Sequence, residues 1–245
     1  MNTALISALL DSEHYPHPTR HIEVIETHIS WIILTGDYAY KIKKPVDFGF
    51  LNFTSLQLRK QYCEAELSLN ARSAPEIYIG LVPISGSPDA PSLGDTSSPF
   101  EYAIKMNQFG KGHLFSELAE SETLTFDHII ELAEKVSDFH RNVDSAPEHL
   151  SYGEPEQVYA PMRQNFEQIA EMVDNPELLT QLKHLEDWTQ SSFERLTPLL
   201  RQRKAQGFVK DCHGDLHLGN ITLYKDQVTL FDCIEFNDDF RWIDV

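Results

Sequence analysis

Apolar and polar residues alternate along the first hundred positions in the way that β-strands require. The alternation is clear at residues 22–34 and 38–43, and a Gly-Asp dipeptide between them favours a hairpin turn. Similar patterns at residues 77–84 and 100–109 predict two more strands. The pattern therefore predicts an antiparallel sheet in the N-terminal part of the chain.

Helical spacing appears once within this β-rich part and then dominates the chain after residue 114. The first helix is predicted to follow Thr54, its expected N-cap, and the Ser/Pro/Gly-rich stretch 85–99 is predicted to be a loop. Apolar residues recur at helical spacing in three later segments, at residues 125–143, 155–173 and 176–205. The chain is thus predicted to be α+β, with a β-rich first part and a helical second part.

A last group of short apolar runs follows the helices. Residues 208–212, 220–224 and 228–233 are predicted to be strands, and the last two form a hairpin that turns at "KDQ". Polar residues are concentrated before and after this hairpin. The helical part is therefore expected to carry a polar loop and a hairpin.

Composition limits the classes of partner. The chain has 245 residues, 41% of them hydrophobic, which is ordinary for a globular protein. Its formal net charge of −18 argues against nucleic acid or an anionic membrane as a partner, because phosphate-rich surfaces would be repelled. The need for solubility is enough to explain the acidity. An acidic surface would also attract a cationic partner.

Cysteine usage and the N-terminus both favour a cytoplasmic protein. Cys63, Cys212 and Cys233 form neither a C-x-x-C pair nor a zinc spacing, so they are expected to be reduced thiols. The first residues lack the basic segment of a signal peptide and are predicted to form a small amphipathic helix.

The densest group of polar residues lies in the stretch "VKDCHGDLHLGNITLYKDQVTLFDCIEFND". Asp215 lies on the loop before the predicted hairpin, Asn220 begins its first strand, and Asp232 lies at the end of its second strand. Because a hairpin returns its second strand beside its first, these side chains are expected to converge. Two carboxylates and an amide oxygen suit a hard cation such as Mg²⁺, which in turn can hold a polyphosphate.

The D-x-x-x-x-N spacing, followed by an aspartate at a strand end, is the layout of kinases. In that interpretation Asp215 is the catalytic base, and Asn220 and Asp232 are the metal ligands. His213 is expected to orient the loop. Simpler interpretations remain open, because aspartate and asparagine also cap turns, and "HGDLH" offers the ligands of a zinc site in His213, Asp215 and His217.

A kinase also needs a lysine on a strand and a glutamate on the following helix. Strand alternation puts Lys41 and Lys43 on one face, with Lys41 preferred for the phosphate contact and Lys43 as second choice. On the helix, Glu66 is preferred to Glu64 as the partner of the lysine, and either glutamate could instead be solvated.

The strand at residues 100–109 occupies the position of the kinase hinge. Its backbone is expected to bind adenine between Lys105 and Gln108, and Met106 is expected to pack on the adenine ring. An ordinary core strand explains the same residues almost as well.

The motif "HGDLHLGNI…FDCIEFND" resembles the catalytic loop and metal-binding segment of the aminoglycoside phosphotransferase family of small-molecule kinases. "GDYAYKIKKPVDFGFLNF" and "EAELSLNARSAPEIYIGLVPI" resemble a bacterial branch in which this domain precedes a P-loop ATPase domain. The resemblance covers nearly the whole chain. It implies a two-lobed protein-kinase-like fold, with an N-lobe at residues 1–107 and a C-lobe at 108–245, and it implies ATP and Mg²⁺.

The chain departs from this pattern in two ways. No G-x-G-x-x-G precedes the lysine, so covering of the phosphates is expected from the turn at Thr27 to Ser30. No G-x-x-x-x-G-K-[ST] occurs, and the C-lobe is expected to be incomplete, as in a fragment that has lost its P-loop ATPase partner domain.

The expected activity is transfer of the γ-phosphate of ATP to a hydroxyl of a small molecule that could be cationic. Two other classes remain open. One is a nucleotide-binding pseudokinase that regulates a partner ATPase domain, and the other is a metal-dependent hydrolase that uses the same acids.

Overall fold

The structure of the chain is a computed structural model, and it describes residues 2–245. It is a mixed α+β protein, which confirms the predicted class. Its helices are α1 (Asn2–Ala8), α2 (Leu56–Asn70), α3 (Phe115–Glu120), α4 (Phe126–Asn142), α5 (Pro155–Met172) and α6 (Pro176–Ala205). Its strands are β1 (Glu23–Glu26), β2 (Ser30–Leu34), β3 (Tyr38–Lys43), β4 (Tyr78–Ser87), β5 (Ala90–Leu93), β6 (Glu101–Asn107), β7 (Val209–Asp211), β8 (Ile221–Tyr224), β9 (Gln227–Leu230) and β10 (Trp242–Asp244).

The chain packs as two compact units. The first contains the residues up to Ser137 together with Asp215–Asn237, and the second contains Asp138–Gly214 and Asp238–Val245. The lobe boundary predicted between residues 107 and 108 is a separate question and stays a prediction.

A six-stranded antiparallel sheet dominates the first unit, with strand order β1-β2-β3-β6-β4-β5. The predicted hairpin between β2 and β3 is confirmed, and its Gly36 has a φ of +107°, a conformation that glycine adopts without strain. Strands β3 and β6 are neighbours in the middle of the sheet. Strand β3 is therefore paired along both edges, and its residues 39–43 are buried.

The prediction of one strand over residues 22–34 is wrong, because a turn at residues 27–29 separates β1 from β2. The Thr27 hydroxyl accepts a hydrogen bond from the Ser30 N–H at 2.9 Å and donates one to the Ser30 carbonyl at 3.1 Å. A threonine side chain that bonds nearby backbone groups competes with strand pairing in this way. The β-branched residues on both sides concealed the break.

The loop predicted at residues 85–99 is also partly wrong. Strand β4 continues to Ser87 and pairs with β5, so a hairpin begins within the Ser/Pro/Gly-rich stretch. Gly86 has a φ of +84°, and a Cβ added there would lie 2.6 Å from the Ala90 carbonyl oxygen. The glycine that indicated a loop thus lies in β4 opposite Pro91, where the backbone of β5 comes too close for a Cβ.

Alternation along β3 divides the core of the first unit between the two faces of the sheet. Tyr40 and Ile42 pack on one side with Leu5 of α1 and with Leu9, which follows that helix. Ala39 packs on the other side, in the cluster that contains Cys63 of α2. Because Lys41 and Lys43 share the face of Ala39, their side chains lie on the same side of the sheet as α2.

Helix α2 begins one residue later than predicted. Its N-cap is Ser55, whose hydroxyl accepts a hydrogen bond from the Leu58 N–H at 3.1 Å, and Thr54 lies outside the helix. In the first turn, the buried guanidinium of Arg59 donates from Nε to the carboxylate of Glu101 at 2.9 Å. This buried ion pair connects α2 to β6.

The polar segment identified in the sequence leads into the predicted hairpin. Strands β8 and β9 pair, and Lys225 and Asp226 at the turn both have positive φ, as a two-residue hairpin turn requires. Phe115, from the short helix α3 that the sequence pattern did not predict, is buried against Ile221 of β8. The hairpin is thus anchored in the core of the first unit.

The second unit is mainly helical and confirms the two long helices predicted after residue 155. Tyr159 of α5 stacks on Phe193 of α6 with ring centroids 4.4 Å apart and donates a hydrogen bond to Gln190 Oε1 at 2.6 Å. Strand β7 pairs with β10, a strand that was not predicted. In the range 2–245, no helix combines the length and apolar character needed to cross a membrane.

The buried pair of Arg59 and Glu101 provides a test of this packing. Replacing Arg59 by methionine leaves the Glu101 carboxylate buried without its cation. We expect Arg59→Met to lower the free energy of unfolding by about 3–5 kcal/mol, measured by urea denaturation. Lys60→Met is the matched control. Lys60 directly follows Arg59 in α2, but its ion pair with Glu64 is exposed. Equal, small losses from both variants would contradict the assigned role of Arg59.

Candidate functional site

Lys41 lies at the centre of the group of residues predicted to bind nucleotide. Its Nζ donates to Glu66 Oε1 at 2.8 Å and to Asp232 Oδ1 at 2.5 Å. The three residues come from β3, from α2 and from the segment after β9, and all belong to the first unit. The fold thus brings together three side chains that are far apart in the sequence.

Lys43 lies beside Lys41 and uses the other oxygen of the same glutamate. Its Nζ donates to Glu66 Oε2 at 2.6 Å and also to Glu235 Oε1. Glu66 therefore contacts both lysines. Glu64 is exposed and forms an ion pair with Lys60 at 2.9 Å, so of the two candidate glutamates only Glu66 reaches these lysines.

The cluster has more negative than positive charges. Two lysines face the three carboxylates of Glu66, Asp232 and Glu235, which gives a formal charge of −1 when all five groups are ionised. The side chain of Asp232 is 37% exposed, whereas that of Glu235 is 4% exposed. The carboxylate at the edge of the cluster is thus the one that a solute can reach.

Burial and charge act in opposite directions on these groups. Burial opposes the charge of Lys41, but Asp232 and Glu66 outweigh it and hold the pKa of Lys41 well above its usual range. The pKa of Lys43 is raised in the same way, because Glu235 and Glu66 outweigh the cost of burial. Burial raises the pKa of Glu235, and the positive charge of Lys43 opposes that rise. Both lysines therefore stay cationic at neutral pH.

The segment that carries Asp232 is held by its backbone. The Phe231 N–H donates to the Asn220 carbonyl at 3.0 Å, the Asp232 N–H to the Tyr78 hydroxyl at 3.2 Å, and the Cys233 N–H to Asn70 Oδ1 at 3.0 Å. Asp232 has a φ of +64°, the left-handed region that non-glycine residues adopt rarely. Such a conformation persists where surrounding contacts impose it, which is common at functional sites.

Asp215 and Asn220 are also brought together. Asn220 Nδ2 donates to the Asp215 carbonyl at 2.9 Å and to Asp215 Oδ2 at 3.4 Å. Asn220 is buried, whereas the side chain of Asp215 is more than half exposed and lies 3.6 Å from His217 Nε2. The asparagine amide thus closes the loop and presents the Asp215 carboxylate to solvent.

The predicted metal ligands include two oxygen donors on neighbouring segments. Because Asn220 Nδ2 donates to Asp215, the amide oxygen is the atom left to ligate a cation. The Asp232 carboxylate is half-buried and engaged by Lys41, so it would have to exchange that partner for a metal ion. These donor types suit Mg²⁺.

The zinc alternative gains no support from the described part of the chain. Between residues 2 and 245, no three histidine, cysteine, aspartate or glutamate side chains gather in a group that could hold a metal ion. His217 Nδ1 accepts a hydrogen bond from the Gly219 N–H at 3.0 Å, so one ring nitrogen of this candidate ligand is already used in the turn.

The residues predicted to contact adenine have other roles in the fold. Met106 is buried in the apolar core of the sheet. Gln108 Oε1 accepts hydrogen bonds from Thr35 N at 3.0 Å and Gly36 N at 2.9 Å, and the Gln108 N–H donates to the Asp37 carbonyl at 3.0 Å. The Gln108 N–H thus donates to the β2–β3 turn, and its contact with adenine stays a prediction that would require a change of partner.

Ser30, predicted to cover the phosphates, begins β2 and pairs with Lys43 across the sheet. Its hydroxyl is buried, and among residues 2–245 it has no hydrogen-bond partner. Its backbone N–H is taken by Thr27 Oγ1. Ser30 therefore lies beside the lysine cluster, but its own N–H is already used.

Glu235, Tyr78 and Asn70 were not predicted to belong to the site. A signal for Glu235 was present, because two lysines on one buried face require more than one acid to balance them. The contacts of Tyr78 and Asn70 with the segment after β9 join residues more than a hundred positions apart, and the local sequence pattern carries no signal for them.

The chain matches no known protein-family model. It is similar to three curated mycobacterial proteins, the uncharacterized proteins Rv2004c and MT2060 of Mycobacterium tuberculosis and Mb2027c of Mycobacterium bovis. Each is 27% identical over 226 residues, which is 91% of this chain and 43% of the relative. The chain thus spans less than half the length of these relatives, whose names state no activity.

The position of Gln108 leads to a test of its role in the turn. Leucine at this position would leave the Gly36 N–H without its acceptor and the Thr35 N–H with the Tyr38 carbonyl alone. We expect Gln108→Leu to cost about 1–3 kcal/mol of unfolding free energy in urea denaturation. Gln108→Glu keeps an acceptor oxygen at the same place and should cost much less. A similar loss in both variants would show that the acceptor does not matter.

Proposed function

We propose that this chain is the kinase-like part of an ATP- and Mg²⁺-dependent phosphotransferase whose acceptor is a hydroxyl of a small molecule. The observation that carries the proposal is the double contact of Lys41 with Glu66 and Asp232. The same unit contains Asp215 and Asn220 on one closed loop. A kinase requires this combination of a phosphate lysine, its helix glutamate, a metal aspartate and a base.

Lys41 has the properties needed to contact phosphate. The neighbouring carboxylates hold the pKa of Lys41 well above its usual range, so the side chain remains cationic throughout the physiological pH range. Glu66 holds its Nζ from one side. We propose that a nucleotide phosphate replaces Asp232 as the second partner of Lys41.

Asp232 and Asn220 would then hold Mg²⁺. The ion would neutralise phosphate charge and thereby ease transfer of the γ-phosphate. The partial exposure of Asp232 supports this assignment, since a fully buried aspartate could not exchange the lysine for a metal ion. When the Lys41–Asp232 ion pair opens, Lys41 is free to contact a phosphate and Asp232 is free to hold Mg²⁺.

Asp215 is proposed to accept the proton of the acceptor hydroxyl. Its side chain is exposed enough for a small molecule to reach it, and the Asn220 amide orients it. A positioned carboxylate within hydrogen-bond reach of the hydroxyl is what general-base catalysis requires. The acidic composition of the chain favours an acceptor that carries positive charge.

Adenine is proposed to bind where the chain leaves β6. Since the Asn107 and Gln108 N–H groups donate to the Ile77 and Asp37 carbonyls, the next N–H groups, of Phe109 and Gly110, would contact the base. A kinase-like fold of two lobes is part of the proposal. The order of elements supports it: an antiparallel sheet with α2 after β3, then helices, then the polar loop and hairpin.

A nucleotide-binding regulatory module is the second candidate function. The turn at Thr27–Ser30 favours it, because the Ser30 N–H is bonded to Thr27 Oγ1 and cannot also cover a phosphate. Without a loop that covers and positions the phosphates, transfer would be slow even where Mg·ATP binds. Such a module would bind Mg·ATP and show no turnover.

The metal assignment is tested by Asp232→Ala. Without Asp232, the two lysines are balanced by Glu66 and Glu235, so the fold should survive the change. We expect Mg²⁺-dependent ATP binding, measured by calorimetry, to be lost. Glu64→Ala removes an exposed acid from α2 and should leave binding unchanged. Unaltered Mg·ATP affinity in Asp232→Ala would remove Asp232 from the proposed site.

The proposed base is tested by Asp215→Asn, which keeps the shape of the side chain and removes its basicity. Turnover with a panel of hydroxylated and partly cationic small molecules should fall by roughly two to four orders of magnitude. Mg·ATP affinity should stay nearly constant, because Asn220 and Asp232 remain. Asp226→Asn, at the exposed hairpin turn, is the matched control, since asparagine tolerates the positive φ found there.

The assay also separates the candidate functions. Transfer to an acceptor supports the phosphotransferase, ATP breakdown without an acceptor supports a hydrolase, and binding without turnover supports the regulatory module. Full turnover by Asp215→Asn would refute the role of Asp215 as the base.

A further inference from the structure

We infer that Lys43 and Glu235 form a positioning pair, which holds the Asp232 segment at the correct place relative to Lys41. This inference rests on the proposed function, in which Lys41 and Asp232 handle phosphate and metal. Lys43 and Glu235 have no direct role in that chemistry. Their contacts nevertheless parallel those of Lys41 and Asp232.

Two ion pairs connect the same strand to the same segment. Lys41 contacts Asp232, and Lys43, two residues further along β3, contacts Glu235, three residues further along the segment. Glu66 lies between the pairs, with one carboxylate oxygen on each lysine. A displacement of Glu235 would therefore also move Asp232 away from Lys41.

The two pairs differ in exposure, which indicates different roles. The side chains of Lys43 and Glu235 are 1% and 4% exposed, whereas that of Asp232 is 37% exposed. The Lys41–Asp232 pair can therefore exchange partners with a solute. The Lys43–Glu235 pair is shielded from water, so it remains intact while the Lys41–Asp232 pair opens.

Packing fixes Lys43 from a further side. Its Nζ lies 4.9 Å from the centroid of the Phe53 ring, and Phe53 is fully buried. A cation above an aromatic face is attracted to it. Lys43 is thus held between Glu66, Glu235 and an aromatic ring, and its position is closely defined.

The segment held by this pair needs an anchor. Asp232 has a left-handed φ of +64° although it is not glycine. The hydrogen bonds of its N–H to Tyr78 and of the Cys233 N–H to Asn70 lie on one side of Glu235 along the chain. The Lys43–Glu235 pair fixes the other end, so the strained residue is held between anchors.

A purely structural role for the pair is the alternative. Buried ion pairs often add little stability, since apolar residues of similar size can replace both partners at little cost, whereas removal of one partner leaves a buried charge. A structural pair and a positioning pair therefore respond differently to a double apolar replacement. Stability should recover in either case, but the geometry of the Asp232 segment recovers only if the pair is merely structural.

The test compares Lys43→Met, Glu235→Leu and the double variant in the full chain. The double change removes one positive and one negative charge, so the formal charge of the cluster stays at −1. We expect the urea midpoint of the double variant to lie closer to that of the unaltered protein than the midpoint of either single variant does. Amide hydrogen exchange at Asp232 and Cys233 should nevertheless accelerate, and Mg·ATP affinity should fall about 10- to 100-fold, as for other residues that orient a metal ligand.

The control is Lys60→Met with Glu64→Gln, an exposed ion pair on α2, which should change none of these measurements. Wild-type exchange at both amides in a folded double variant would overturn the positioning role. If the unaltered protein does not bind Mg·ATP, the proposed function fails, and hydrogen exchange alone still decides the positioning role.

A second variant covers the case in which the double variant does not fold. Glu235→Gln keeps the size of the side chain and an acceptor oxygen while removing the charge. We expect the folded variant to exchange the Asp232 amide several-fold faster than the unaltered protein does. Unchanged exchange at that amide in Glu235→Gln would contradict the inference.

Discussion

The buried carboxylate of Glu66 is the constraint on which the rest of the first unit depends. A fully buried anion is tolerated only when cations and hydrogen bonds compensate for its lost hydration. Lys41 and Lys43 meet this need, one on each oxygen. Strand β3 must therefore turn its lysines towards α2, and α2 must begin at the register that Ser55 sets, so that Glu66 faces them.

The surplus of negative charge in this cluster is distributed in a way that suits exchange. Glu66 and Glu235 are buried, and Asp232 lies at the edge, so the least shielded carboxylate is the one that can take another cation. Without Asp232, the two lysines are balanced by Glu66 and Glu235, so these four side chains can keep their arrangement when Asp232 takes another cation. A cluster of this kind can release one acid without losing its packing, which is what the proposed exchange of Lys41 for Mg²⁺ at Asp232 requires.

Local sequence patterns predicted the faces of the strands and helices but not the partners across the fold. Period-two alternation correctly put Lys41 and Lys43 on one face, and helical spacing located α5 and α6. The break at residues 27–29 was missed because threonine stops a strand through its side chain, which hydrophobicity does not reveal. The role of Gln108 in the turn was missed because the N–H groups that donate to its side chain, those of Thr35 and Gly36, lie 73 and 72 positions away.

The candidate site shows where local preference gives way to geometry. Glycine would adopt the backbone of Asp232 without strain, yet that position carries a carboxylate, which contacts Lys41. The segment therefore accepts a strained residue so that the carboxylate reaches the lysine, and hydrogen bonds from its backbone N–H groups to Tyr78 and Asn70 hold it there. Glycine at this position would relieve the backbone strain but would lose the ion pair with Lys41. The strain at Asp232 is therefore what the proposed role of the segment after β9 in binding Mg·ATP would require.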